Sequence, residues 1–161
     1  MKPKTKTRKQ MRLAIGRDVL QQIAAKRITP LSGTYYSGPS LANKDAQNAL
    51  LDALECRVCA LGAAFVSRVR LFNSFSTDSR EVGRGEMQVS LAEFFPLEEL
   101  IAIEAAFEGW GYYISDAFQR LEDETRMIFI WKYIVYTLRG RRFRVRQFQK
   151  AAEKFAKSHR G

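Results

Sequence analysis

The chain has 161 residues, the size of one ordinary domain, and its 46% hydrophobic content excludes global disorder. A formal net charge of +10, from 27 Lys and Arg against 17 Asp and Glu, excludes an acidic mimic of nucleic acid. The charge is also segregated: residues 1–27 carry a net +8, residues 28–138 a net −6 and residues 139–161 a net +8. An acidic body between two basic ends is the layout of a chain that holds a polyanion by its ends.

Met1 to Lys9 is a Lys/Thr run without an apolar residue after Met1, which predicts a basic disordered arm over residues 1–10. Met11, Ile15, Val19 and Ile23 then recur every four residues as a helical stripe; Gly16 predicts a break, with the firm helix beginning near Asp18. Thr29 to Ser40 holds two Pro and two Gly and reads as a loop with one short extended piece. A long central helix is expected from about Lys44 to Val69, apolar and rich in Ala. Asn73 to Gln88 reads as a polar loop, and Ser90-Leu91-Ala92-Glu93 as a capping box opening a short helix. Leu97 to Glu108 is the next helix, started at Pro96 and ended by Gly109. A short helix follows from Ser115. The last main helix opens on Glu122-Asp123-Glu124 and closes at Arg139-Gly140, as the helix dipole prefers. Arg141 to Arg146 alternates Arg with apolar residues, so an extended piece would carry one all-Arg face. Phe148, Ala151, Ala152, Phe155 and Ala156 then form the stripe of a basic amphipathic helix. The expected fold is mainly α: one compact helical domain of about five or six helices, with a body over residues 11–139 and an Arg-rich segment with its helix over residues 140–161.

Chemistry-bearing motifs are few. Cys56 and Cys59, the two cysteines, form a C-x-x-C, but zinc needs four ligands and the single His is His159, near the C-terminus. Placed mid-helix, both read as buried reduced thiols, in preference to a redox pair. No hydrolase, metalloprotease or phosphate-loop motif is present, and no mid-chain His can serve as a general base. Glu104 and Glu108 share a helix face at i, i+4, which reads as a solvated acidic face in preference to a divalent-ion site. The expectation is therefore a non-enzymatic protein without a cofactor or bound metal. No signal-peptide pattern or membrane-length apolar run is visible, which predicts a cytoplasmic protein with no membrane partner.

The basic ends carry the strongest signal. Arg139, Arg141, Arg142, Arg144, Arg146 and Lys150 at one end, and Lys4, Lys6, Arg8, Lys9 and Arg12 at the other, are the expected polyanion contacts, since the Arg fork binds phosphate in a bidentate way. The competing reading is that the basic segments dock on the acidic body. Tyr35, Tyr36, Trp110 and Tyr112, in expected loops, are candidates for base stacking, against the alternative that they anchor those loops to the core. For Phe129, Trp131, Tyr133 and Tyr136, core packing is expected.

Cys56-Arg57-Val58-Cys59-Ala60-Leu61-Gly62-Ala63, continued by Phe65 to Leu71, resembles a segment of small bacterial and phage accessory proteins. Gly16 to Leu20, Gly33-Thr34-Tyr35 and Ile103 to Gly109 extend the resemblance over the middle two-thirds of the chain; the Arg-rich ending departs from it. The resemblance transfers no chemistry, but it implies a phage or mobile-element context. The sequence thus predicts a partner that is nucleic acid or a nucleoprotein complex. The alternatives are an inhibitor docking on a host defence nuclease, in the manner of an anti-CRISPR, and a sponge-like protein that captures a nucleotide messenger.

Overall fold

The computed structural model describes residues 7–37, 56–72, 84–110 and 114–159, and over them the chain is mainly helical. Helix α1 (Arg8–Ala24) starts at a capping box: Thr7 Oγ1 accepts the Gln10 N–H at 3.2 Å and Gln10 Oε1 accepts the Thr7 N–H at 2.8 Å. Arg8 and Lys9 are thus helical and do not belong to a disordered arm, while Lys4 and Lys6 lie outside the described residues. The expected break at Gly16 is absent as well. A methyl group built there would meet Val135 Cγ2 at 2.6 Å, so the glycine serves a close helix–helix approach and does not interrupt α1.

Three short strands follow: β1 (Ile28–Pro30), β2 (Tyr36–Ser37) and β3 (Cys56–Val58). β3 lies in the middle, parallel to β1 with Ile28 opposite Cys56 and antiparallel to β2 with Tyr36 opposite Val58. This corrects the helix expected from Lys44 to Val69. Residues 44–55 lie outside the described residues, and Cys56, Arg57 and Val58 alternate buried, exposed, buried in a strand. The helix begins only at α2 (Ala60–Phe72), whose residues Ala60 to Val69 are all buried, which makes it the central helix.

Helix α3 (Arg84–Leu91) occupies part of the expected polar loop, and Ser90 lies in its last turn instead of opening a new helix. Met87 and Leu91, four residues apart, are fully buried, and this burial outweighs the polar character of the stretch. Helix α4 (Leu97–Glu108) has the expected bounds, with Gly109 left-handed at φ 78°. Helix α5 (Asp116–Gln119) is capped by Ser115 Oγ, which accepts the Phe118 N–H at 3.4 Å. Helix α6 (Asp123–Lys132) runs on into a π-helical stretch, Tyr133–Leu138, and stops at Arg139 and Gly140, both with positive φ. Residues 141–144 form no strand, and helix α7 (Val145–Ser158) packs Phe148, Ala152 and Ala156 inward. No helix among the described residues is long and apolar enough to cross a membrane.

Three buried arginines tie the layers together, each with a carboxylate, a ring and a backbone carbonyl. Arg12 meets Glu99, Phe95 and the Gly140 carbonyl. Arg68 meets Glu93, Phe94 and the Ser90 carbonyl. Arg126 meets Asp123, Phe107 and the Phe107 and Leu121 carbonyls. A fourth, half-buried, is Arg70, which joins α2 to Asp18 of α1 at 2.6 Å. A buried guanidinium is tolerated because its charge is paired and most of its donors find acceptors, although Arg12 Nε has no hydrogen-bond partner among the described residues.

Candidate functional site

The two basic ends meet in space. Arg12 reaches from α1 to the Gly140 carbonyl at 2.5 Å and to the Arg141 carbonyl at 3.4 Å. The stem of Lys9 lies over Gly140, whose missing Cβ would come within 2.6 Å of Lys9 Cγ. Residues 130 positions apart in sequence therefore share one corner, with Lys9 on one side and Arg139, Arg141 and Arg142 on the other.

Beyond the corner, the chain turns into α7 around Phe143. That ring is buried between Tyr133 (6.1 Å) and Phe148 (5.0 Å). Pinning Phe143 inward leaves Arg142 and Arg144 outward, so the alternation read in the sequence survives as a burial pattern without a strand. A cleft of about 350 Å³ opens here, lined by Arg141, Arg142, Arg144, Thr137 and Gln147 and floored by Tyr133 and Leu138. The Arg141 guanidinium is partly committed: it donates to the Leu138 carbonyl at 3.0 Å and to the Thr137 carbonyl at 3.1 Å, closing the C-terminal end of the π-helical stretch. Arg139, Arg142, Arg144 and Arg146 are exposed and have no ion-pair partner among the described residues. Lys150 is exposed as well.

Both basic segments sit at helix N-termini. The first turns of α1 and α7 contain no acid, and α7 has no side-chain cap; Arg8, Lys9 and Arg146 stand there instead, with Arg144 as the α7 cap residue. Bases at the positive pole of a helix are unfavourable, by about 0.3–1 kcal/mol each at the surface, and an anion bound there removes the penalty.

Several expected contacts are corrected. Arg12 is only 7% exposed and paired with Glu99, so it holds the corner together and offers nothing to a ligand. Burial pushes the Glu99 carboxyl above its ordinary range, against the pull of Arg12 and, more weakly, Arg8. Arg8 is exposed and donates to the Ala92 carbonyl at 3.2 Å. The loop aromatics do not join the site. Tyr36 is 2% exposed in β2, and Tyr35 is half-buried with its carbonyl laid against Gly62. Trp110 is 46% exposed but follows the C-terminal end of α4, eleven residues (~16 Å along a helix) from Glu99 at the other end. Tyr112 lies outside the described residues.

The expected acidic face is likewise corrected. Glu104 is 1% exposed, and half-buried Glu108 accepts the Gly33 N–H at 2.8 Å, fastening the β1–β2 loop. Burial, then Glu104 and Asp123, push the Glu108 carboxyl up, while the Gly33 bond pulls it down. Asp123 is pushed up by burial but ends below its ordinary range, held there by the Ser32 N–H and Arg126. No group of three His, Cys, Asp or Glu among the described residues is arranged to hold a metal. Cys56 is a strand residue, and Cys59 precedes α2, with its Sγ accepting the Gly62 N–H at 3.4 Å. Neither is mid-helix, yet both are buried, and burial pushes each thiol up to about 12.

Sequence reasoning missed the aromatics that do flank the arginines. Tyr136, expected in the core, is 62% exposed. Tyr136, Phe155 and His159 line a second hollow that shares Tyr133 and Thr137 with the arginine cleft. The signal was present: Met127, Ile130, Trp131, Ile134 and Leu138 already fill one face of α6, so Phe129, Tyr133 and Tyr136 make a second face that α7 covers only in part. No protein-family model, curated protein or solved structure matches the chain, so its function rests on this geometry.

Proposed function

We propose that this chain is a non-enzymatic protein that binds nucleic acid or a nucleoprotein complex through the face formed by Arg8, Lys9, Arg139, Arg142, Arg144, Arg146 and Lys150. The observation that carries the reading is the convergence of the two basic segments at the Arg12–Gly140 contact while most of their bases stay exposed. The competing idea, that the acidic body holds the basic segments, applies to Arg12, which pairs with Glu99, but to no base of helix α7 among the described residues. Helix α7 is fastened by Phe148, Ala152 and Ala156, and among the described residues its ion pair is internal, Lys157 to Glu153 at 3.1 Å. The test is binding of labelled DNA and RNA oligonucleotides over a salt series. Neutralising six phosphates gives a log–log slope of about −4 to −5, and the triple variant R142Q/R144Q/R146Q is expected to flatten it by about 2–3. An unchanged affinity and slope in that variant refutes the reading.

A second reading has one observation in its favour: the arginine cleft, at about 350 Å³, has the volume of a small-ligand site, which suits a phosphate-bearing nucleotide. Thermal stabilisation by nucleotides without any by oligonucleotides selects it. The mobile-element context, including inhibition of a defence nuclease, rests on the resemblance of residues 56–71. Binding to a purified nuclease complex but to no free oligonucleotide selects that role.

A further inference from the structure

We infer that the basic face takes single-stranded nucleic acid in preference to duplex, because Tyr133 and Thr137 are common walls of an arginine-lined cleft and of an aromatic groove beside it. The inference deepens the nucleic-acid reading and rests on it.

The groove has a volume of about 580 Å³ and lies between the outer face of α6 and helix α7. One wall is a run of stacked rings. Phe129 and Phe155 are 4.6 Å apart at 25°, and Phe155 and His159 are 5.0 Å apart at 26°. The stack ends at His159, which is exposed, so its outer face is where a further flat ring would continue the series. Tyr136, 62% exposed, supplies another ring, and Ile128 and Ala151 complete an apolar lining. Tyr133 and Thr137 stand one helical turn apart between the two hollows, within the π-helical stretch, a local widening common at functional sites.

Exposed rings beside exposed arginines are the two parts of a single-strand site: a charged track for the backbone and flat faces for unstacked bases. Duplex bases are already stacked on each other, so a duplex could use only the arginines. A strand with free bases can use both hollows at once. Flat stacked rings suit bases better than the spaced side-chain knobs of an amphipathic helix, which an aliphatic groove receives. The lining surface is mostly apolar, with polar groups from residues such as Thr125, Lys132 and Thr137 beside the rings, and stacking on those rings is tolerant of base identity.

The test is fluorescence anisotropy with a labelled twelve-nucleotide strand and the matching duplex at one salt concentration. The wild-type protein is compared with Y136L/H159L and with R142Q/R144Q. Leucine keeps the apolar volume but removes the ring face, and both replaced residues are exposed, so folding is checked simply by thermal unfolding. The expected result is a single-strand preference of about tenfold or more, largely lost in Y136L/H159L with duplex affinity and salt slope unchanged. R142Q/R144Q is expected to weaken both ligands. Equal wild-type affinity for strand and duplex, or undiminished strand binding by Y136L/H159L, overturns the inference. If R142Q/R144Q still weakens both ligands in that case, the nucleic-acid reading stands alone. If neither oligonucleotide binds and an acidic amphipathic peptide does, both fall in favour of a protein partner.

Discussion

Replacing Arg12 by Ala tests how much of the fold rests on one buried arginine. The side chain is 7% exposed, contacts both Glu99 carboxylate oxygens, donates to the Gly140 carbonyl at 2.5 Å and lies 5.6 Å from the Phe95 ring centre. Alanine leaves Glu99, itself 2% exposed, as a buried carboxylate without its ion-pair partner. Removing one member of such a pair costs about 3–5 kcal/mol. At roughly 2–4 °C per kcal/mol for a domain of this size, Tm should fall by about 6–20 °C. The pH dependence has a definite sign. Burial holds the Glu99 carboxyl up and Arg12 pulls it down, so without Arg12 it rises further. The folded variant then takes up a proton more readily than its unfolded chain. Its deficit is largest at neutral pH and shrinks as pH falls towards the ordinary glutamate value of about 4.3. R12M/E99L removes the pair together and should recover most of the loss. Urea titrations at pH 7 and pH 4.5 measure these effects. A deficit under about 1 kcal/mol at pH 7, or one that grows on acidification, refutes the reasoning.

Two further outcomes follow from packing and charge. Gly62→Ala places a Cβ 1.6 Å from the Tyr35 carbonyl oxygen, a backbone atom that cannot rotate away, so α2 and the chain entering β2 must separate. The loss should reach or exceed the upper end of the ~1–3 kcal/mol typical of overpacking, whereas Gly85→Ala, with open space around it, should be neutral or gain up to ~1 kcal/mol. Denaturant midpoints of the two variants check the contrast. Glu108→Gln keeps an acceptor for the Gly33 N–H and removes a carboxylate that burial, Glu104 and Asp123 hold above its ordinary range. The ionised form therefore costs the wild type stability at neutral pH, so the variant should be the more stable at pH 7 and lose that advantage below about pH 4.3. Unfolding midpoints at the two pH values decide it.

The elements with their own local signals were legible in the sequence. Leu97–Glu108 was bounded by Pro96 and Gly109, the α6 stretch by its acids and by Arg139-Gly140, and α7 by its stripe. What was not legible depended on distant contacts. The β3 strand has three residues and owes its form to pairing with β1 and β2 on either side. Helix α3 forms where Met87 and Leu91 are buried. Gly16 looked like a break because only the approach of Val135 explains it. The basic residues of the candidate site were legible from charge alone. Their assembly at one corner was not, because it depends on Arg12, which no local pattern distinguishes from its exposed neighbours.

The net charge has a different meaning once the pairs are known. Asp18, Glu93, Glu99 and Asp123, acids of the first helix and the body, are taken by Arg70, Arg68, Arg12 and Arg126. Glu108 is taken by a backbone N–H. These acids already have partners, Glu93 at an exposed position, and among the described residues none of them pairs with the C-terminal segment. That segment is fastened by carbon, through Phe143, Phe148, Ala152 and Ala156, and fastening by carbon leaves its arginines exposed. The fold also retains bases at two helix N-termini, where acids would be worth up to about 1 kcal/mol each. A surface that forgoes this stabilisation at both ends of the chain, and brings the two ends together through a buried Arg12, has its unfavourable charge concentrated in one place. An anion arriving there gains what the fold lacks: countercharge, helix N-terminal N–H groups and, through the shared Tyr133 wall, a ring-lined groove next to them. This is the physical reason to look for a ligand at this corner.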